Sequence, residues 1–353
     1  MLFLGIDIGG ANIKASLFKV DNYFELKSVK LHYPIWIRGV NELPRAIEHV
    51  MSLLGCSNAN YVALTMTAEL SDIFKDKREG VEKIIFNLKQ VFKDFKVIAT
   101  DGSLLDPDDA VKRFMDVAAA NWWCVGWFAA QLNESCVVVD VGSTTTTITP
   151  VVKGRSAASG FNDLEKMSLG EIVYVGSLRT PVSSVVSAVP VNGILCRVSS
   201  EYFANIGDVN ILLGLLKEEE YDVGTPDGRG KSLEDCHYRL SRVVCGDGKM
   251  LKMLQTKIMA SFIYNKVVEK VFEGLLQVLS KLASEDHFID LGFAAGLGDF
   301  IALDAIKRAG LRGVLFREII GRDNSIALTS SSLAIYLAYN MGVDVKKWIS
   351  LLK

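Results

Sequence analysis

The chain has 353 residues, half of them hydrophobic and 23% charged, with 39 basic against 41 acidic side chains and a formal net charge of -2. That length fits two domains with ample core, and the composition excludes a disordered chain. The charge balance and the lack of a basic cluster argue against a nucleic-acid partner, and no apolar run approaches the roughly 20 residues of a membrane span.

The N-terminus lacks a basic region and places Asp7 inside its apolar stretch, which does not read as a signal peptide, so a cytoplasmic location is expected. Residues 2–9 and 12–20 read as the first two strands, and a helix follows around 40–54. Tyr61 to Met66 is a buried strand ending in Thr67-Ala68-Glu69-Leu70. Residues 79–94 carry apolar side chains at helical spacing, Lys96 to Thr100 is a short strand, Asp108 to Met115 starts a helix, and Ala118 to Gln131 is apolar and helical. A second domain opens at Ser135 with the strand Val137-Val138-Val139. Short strands and loops fill 152–250 before a helix from about Leu233 to Val244. Residues 251–283 form one long helix or two, Asp290 to Phe300 is a glycine-rich turn leading into the helical run Ile301 to Ala309, and 325–341 is the last helix.

One phrase occurs twice. An apolar strand, an Asp, one residue, a Gly-led turn and a second β-rich strand appear at Leu4 to Lys14, with Asp7, Gly9, Gly10, Asn12 and Lys14. They appear again at Val137 to Ile148, with Asp140, Gly142, Ser143, Thr144 and Thr145. Such a hairpin bares backbone N–H groups and hydroxyls to an anion, and an Asp at the strand end can hold Mg²⁺ or orient water. The alternative is two unrelated turns, each with an Asp bonded to its own backbone; the repetition favours the functional reading. Glycines between a strand and a helix, as at Gly296 and Gly298, let a ligand approach the backbone.

Further candidates stand alone. Glu69 ends a buried strand, where a carboxylate serves equally as a general base, a Mg²⁺ ligand or a first-turn helix acid. Arg179 is placed to clamp a phosphate or carboxylate, or to form a salt bridge with Glu171 or Asp163. Asn121 is a polar residue among apolar neighbours and needs a partner. Trp122, Trp123 and Trp127 either stack on an aromatic substrate or fill the core, the commoner use. The six cysteines contain no CxxC pair, so reduced structural thiols are expected over a zinc site from Cys196, Cys236, His237 and Cys245.

The two Asp-Gly hairpins and the late glycine turn resemble the phosphate and adenosine loops of the actin, Hsp70 and sugar-kinase fold. That likeness implies an α/β chain of two ribonuclease-H-like domains with a cleft between them. The expected units are residues 1–131, joined by a C-terminal helix at about 325–353, and residues 132–324. The phrases TMTAELSD at 65–72, AANWW at 119–123, VDVGSTTTTITP at 139–150, GEIVYVGSLRTPV at 170–182, TPDGR at 225–229 and AAGLGDF at 294–300 are together similar to an archaeal branch of the hydantoinase/oxoprolinase-like group linked to one-carbon metabolism. The best-defined activity of that branch is ether formation in methanofuran biosynthesis. The resemblance therefore implies a transferase that joins an aminomethyl-furanmethyl diphosphate to the phenol of tyramine or γ-glutamyltyramine and releases diphosphate. It implies Mg²⁺ between the diphosphate and Asp7 or Asp140, diphosphate on the two hairpins with Arg179, Asn121, Gly296 and Gly298, and Glu69 or a nearby Asp as base. Trp122, Trp123 or Tyr174 would shield the developing cation. Small molecules are the expected partners, with a homodimer as a further option. An ATP-dependent small-molecule kinase or amidohydrolase explains the same glycine elements and is the alternative; a nucleotide-sensing switch is a third class.

Overall fold

The computed structural model of the chain describes residues 1–352. The alternating pattern of the first strands builds a sheet of six: β1 (Leu2–Ile8), β2 (Asn12–Val20), β3 (Phe24–His32), β4 (Tyr61–Met66), β5 (Lys96–Ile98) and β6 (Leu104–Leu105), in the spatial order 3-2-1-4-5-6. β1, β2 and β3 form an antiparallel meander, while β4 and β5 run parallel to β1. The second half repeats this plan. β7 (Cys136–Val141) and β8 (Thr146–Val152) form the matching hairpin, with β9 (Arg155–Ser156) and β10 (Ile172–Val173) on β8. β11 (Ala188–Val191) and β12 (Ile194–Arg197) stand apart as their own hairpin; β13 (Leu291–Ala295) lies parallel to β7, and β14 (Arg312–Leu315) parallel to β13. The order 10-8-7-13-14 is the 3-2-1-4-5 order of the first sheet. This is a pair of ribonuclease-H-like sheets, the architecture of the actin, Hsp70 and sugar-kinase fold.

Strand alternation decides which face each residue serves. Leu4, Ile6 and Ile8 pack outward with Ile47, Val50 and Ile84, and Val137, Val139 and Val141 pack outward with Val267, Val271 and Ile301. The residues between them, Phe3 and Val138, point to a central layer that contains Phe128, Leu333 and Ala334. Two helices therefore lie between the sheets, Asn121–Leu132 and Leu328–Asn340. The latter presses so closely on β1 that a Cβ at Gly5 would fall 2.3 Å from the Ser330 carbonyl oxygen. By the same alternation Asp7 and Asp140 lie on the inward faces of their strands.

Several elements differ from the expectation. β3 lies in a run whose polar Glu25, Lys27 and Lys30 hide it; pairing with β2 along its whole length holds it. The helix expected over 79–94 starts at Lys77, capped by Asp76 accepting from the Glu79 N–H, and ends at Leu88. The segment after Gly170 is barely a strand, and a six-residue helix, Asp163–Ser168, precedes it. Residues 253–284 form one helix. Trp122 is buried under the Lys166 ammonium, 3.9 Å from the ring, and Trp123 and Trp127 pack on Tyr336. Trp122 is core, and Trp123 and Trp127 pack partly buried against the core; none of the three lines the cavity described below, where Trp122 or Trp123 was expected. The thiol-zinc grouping does not form: His237 binds Thr256 and the Gly248 carbonyl, while Cys236 lies against Arg239.

Candidate active site

The two hairpins superpose in register. Asp7 stands across from Lys14, and Asp140 stands across from Thr147, seven residues on in each case. The Gly9 N–H donates to the Asn12 carbonyl at 2.9 Å, and the Gly142 N–H donates to the Thr145 carbonyl at 2.9 Å. The tips meet where Asn12 Nδ2 donates to Ser143 Oγ at 3.1 Å. Each hairpin also holds a second segment. The Gly10 and Ala11 carbonyls accept from Ile35 and Tyr33, which carries Trp36 to the cleft. The Gly142 and Ser143 carbonyls accept from Ser177, Leu178 and Arg179, which carries the guanidinium there. Gly176 permits this contact, since a Cβ there would lie 2.5 Å from the Thr144 nitrogen.

Together these pieces enclose a cavity of about 520 Å³. Asp7, Gly9, Gly10, Asn12, Lys14, Asn121, Asp140, Gly142, Ser143, Thr144, Thr145 and Arg179 all line it. Lys14 is the lone lysine on this lining, with Nζ 3.9 Å from Asp7 Oδ2. Burial raises the Asp7 carboxyl, and Lys14 pulls it back down. Burial likewise pushes Asp140 up to about 6, opposed by Lys14 and reinforced by the Asp7 charge. Asp7 Oδ1 and Asp140 Oδ1 are both enclosed and have no hydrogen-bond partner. Two cavity-lining aspartates beside glycine-led turns, each with one oxygen lacking a protein partner, are a donor set that would suit a hard cation sharing its coordination with phosphate and water. Among the described residues no three His, Cys, Asp or Glu side chains converge as a protein-only metal site.

Other residues fall elsewhere. Gly296 and Gly298 are buried beneath the second hairpin and off the cavity lining: a Cβ at Gly296 would meet Asp140 Oδ1 at 2.3 Å, and one at Gly298 would meet Val141 Cγ1 at 2.6 Å. Their role here is close packing that seats Asp140, where a ligand contact was expected. Glu69 is wholly buried behind the lining turn of Thr67, Leu70, Ser71 and Asp72, and neither carboxylate oxygen has a hydrogen-bond partner. Burial raises its carboxyl to about 8, against the pull of Lys77. Arg179 forms no ion pair with Glu171 or Asp163; Glu171 binds Lys166 and Asp163 binds Lys77. Its guanidinium lies 4.4 Å over the Trp36 ring and donates to Thr144 Oγ1 at 3.3 Å. Trp36, Met167 and Ile172 supply an apolar wall that also includes Tyr174. The signal for Trp36 was local but weak, a tryptophan just after Tyr33-Pro34, and only the hydrogen bonds to the first hairpin place it on the cleft.

The sequence profile of the hydantoinase/oxoprolinase family matches residues 60–334. The chain belongs to this family. Over 336 residues it is 37% identical to the (4-{4-[2-(gamma-L-glutamylamino)ethyl]phenoxymethyl}furan-2-yl)methanamine synthase of Methanocaldococcus jannaschii, covering 95% of this chain and 97% of that one. A protein of the same name from Methanococcus vannielii is 32% identical over 225 residues, 62% of this chain and 99% of that one. Among solved structures, nucleotide-free acetone carboxylase aligns with a TM-score of 0.55 at 9% identity, covering 96% of this chain and 70% of that one, so this family member shares its fold. The family match begins after the first hairpin, and the relative from Methanocaldococcus jannaschii extends the likeness over nearly the whole chain.

Proposed function

We propose that this protein is an ether-forming synthase of methanofuran biosynthesis. It condenses an aminomethyl-furanmethyl diphosphate with the phenol of tyramine or γ-glutamyltyramine, giving an aryl furfuryl ether and diphosphate. The observation that carries the reading is the paired hairpin cavity, in a chain 37% identical along its length to a synthase named for such an ether. In the step, the bond from the furan methylene to the diphosphate oxygen breaks and its electron pair leaves with diphosphate. The phenol oxygen bonds to the methylene and its proton passes to a base. The barrier falls chiefly by holding the charge that grows on the leaving group. Lys14, Thr144, Thr145 and Arg179, all on the cavity lining, are the proposed donors to it. Asp7 and Asp140 would hold Mg²⁺, which when bound neutralises phosphate charge. The electron-rich furan stabilises positive charge on its methylene, with Tyr174 and Trp36 as the aromatic wall. Glu69, behind the Thr67–Asp72 turn, is the proposed proton acceptor once ionised, since burial otherwise holds it protonated at neutral pH.

The test is incubation of the pure protein with Mg²⁺, the furanmethyl diphosphate and tyramine. One ether per diphosphate released is the expected product ratio, with turnover lost in excess chelator. Phosphoryl transfer from ATP to an alcohol, with no ether formed, would establish the kinase alternative instead.

A further inference from the structure

Where the Thr67–Asp72 turn comes up to the Asp163–Ser168 helix, two carboxylates share one cation. Lys77 Nζ lies 2.7 Å from Asp163 Oδ2 and 3.8 Å from Glu69 Oε1. Glu69 is fully enclosed, and neither of its oxygens accepts a hydrogen bond. Burial holds the Glu69 carboxyl protonated at neutral pH, so Lys77 balances Asp163 alone and a second cation at the seam would allow Glu69 to ionise. Asp163 lines the cavity, as does Asp72, which has no ion-pair partner among the described residues. The helix bearing Lys77 packs closely on the Glu69 backbone, since a Cβ at Gly80 would lie 2.4 Å from the Glu69 carbonyl oxygen; the Lys77 ammonium, bridging both carboxylates, is the group that an incoming cation would shift. Asp163 and Asp72 give this wall of the cavity an acidic face that suits an ammonium group. The two named relatives are named for a product that carries a primary methanamine.

We propose that this seam is a subsite for a primary ammonium on the substrate: the ammonium pairs with Asp163, and the Lys77 it displaces turns to Glu69 and ionises it. The proton leaves Glu69 for solvent, and the carboxylate so formed is ready for the phenol proton. Lys77 is a positioning residue in this scheme. Lys77 and Asp163 are the charged groups whose fields reach Glu69, the first lowering and the second raising its proton affinity. Pairing Asp163 with a ligand and bringing Lys77 closer both act in the direction of proton loss. The choice of amine rests on the ether-synthase reading; the existence of the subsite does not.

Calorimetric titration tests it without turnover. Tyramine and furan-2-ylmethanamine are titrated at pH 7 in two buffers of different ionisation enthalpy, with 4-methylphenol and 2-methylfuran as uncharged controls. At least one amine is expected to bind about tenfold or more tighter than its control, with release of up to about one proton per ligand. Glu69→Gln should keep the binding and lose the proton release. Asp163→Asn should lose the preference for the amine, while both variants bind inorganic pyrophosphate as the parent does, which reports an intact cavity. Equal binding of amine and control overturns the subsite, and binding without proton release overturns the Lys77 transfer. Tyramine alone binding marks the acceptor amine; furan-2-ylmethanamine alone marks the donor. If amine binding behaves as expected and no ether forms, the functional reading falls and the subsite stands; ether formation from uncharged analogues at unchanged KM has the opposite meaning.

Discussion

Lys14 is one cation serving two carboxylates, since the second hairpin carries Thr147 in the matching place. Its loss should leave both acids harder to ionise and the cavity without its lone lysine. Lys14→Met and Thr144→Ala are each expected to lower kcat by about 10²–10³ with a smaller change in KM, measured as diphosphate release. An unchanged kcat in both would remove charge stabilisation by the hairpins from the mechanism. Glu69 makes a separate prediction through pH. Its folded-state proton affinity is raised to about 8, so the native state binds the proton more tightly than the unfolded chain, whose glutamates titrate near 4. Stability is then lost as pH rises from about 4 towards 8. Glu69→Gln removes that slope and should gain on the order of 1–3 kcal/mol over the parent at pH 8.5, with little difference at pH 4. Urea midpoints at the two pH values check it, and a parallel shift at both would refute a titrating Glu69.

The hairpins work as elements because neighbouring backbone fits against them. Gly296 holds a left-handed conformation at φ 85° with its Cα against Asp140, a position where any side chain both strains the backbone and displaces the carboxylate. Gly296→Ala should therefore cost activity beyond what its loss of stability explains: kcat falling tenfold or more at a temperature where circular dichroism shows the variant folded. Gly5→Ala probes a different contact, the approach of the Leu328–Asn340 helix to β1. Overpacking there is expected to cost about 1–3 kcal/mol, seen as a lowered urea midpoint, since the Ser330 carbonyl oxygen cannot retreat without lifting the helix from the sheet. A midpoint equal to the parent's would mean that this helix moves freely.

At the scale of the molecule, two ion pairs among the described residues cross the cleft: Lys77 with Asp163, and Lys30 with Asp222, each at 2.7 Å. Both are partly exposed, so each contributes up to about 1 kcal/mol, weakened by salt. That is enough to shift an open–closed balance of comparable size. Lys30→Ala combined with Lys77→Ala should raise the radius of gyration of the ligand-free protein in small-angle scattering at low salt, and saturating pyrophosphate should restore it. No expansion would show that the helices packed between the sheets, not the ion pairs, fix the closure.

Local chemistry was enough to identify the repeated hairpins from sequence alone. Apolar runs that end in Asp, then Gly and small polar residues, define Asp7, Asp140 and the turns because each contact in them spans only a few residues. The same locality marked Arg179 and Asn121 as polar groups in need of partners. Tertiary structure decided what distance along the chain conceals. Gly296 and Gly298 have the composition of a ligand loop, yet Asp140 and Val141 occupy the space beside them. The three tryptophans of 122–127 carry an aromatic signature, yet helix packing turns them to the core, while Trp36 reaches the cleft through hydrogen bonds to Gly10 and Ala11. Glu69 was visible as a strand-end acid, but its burial, and the one lysine it shares with Asp163 ninety-four residues later, exist only once the two halves close. Burial and the sharing of a charge are properties of assembled surfaces, and no local run of residues encodes them by itself.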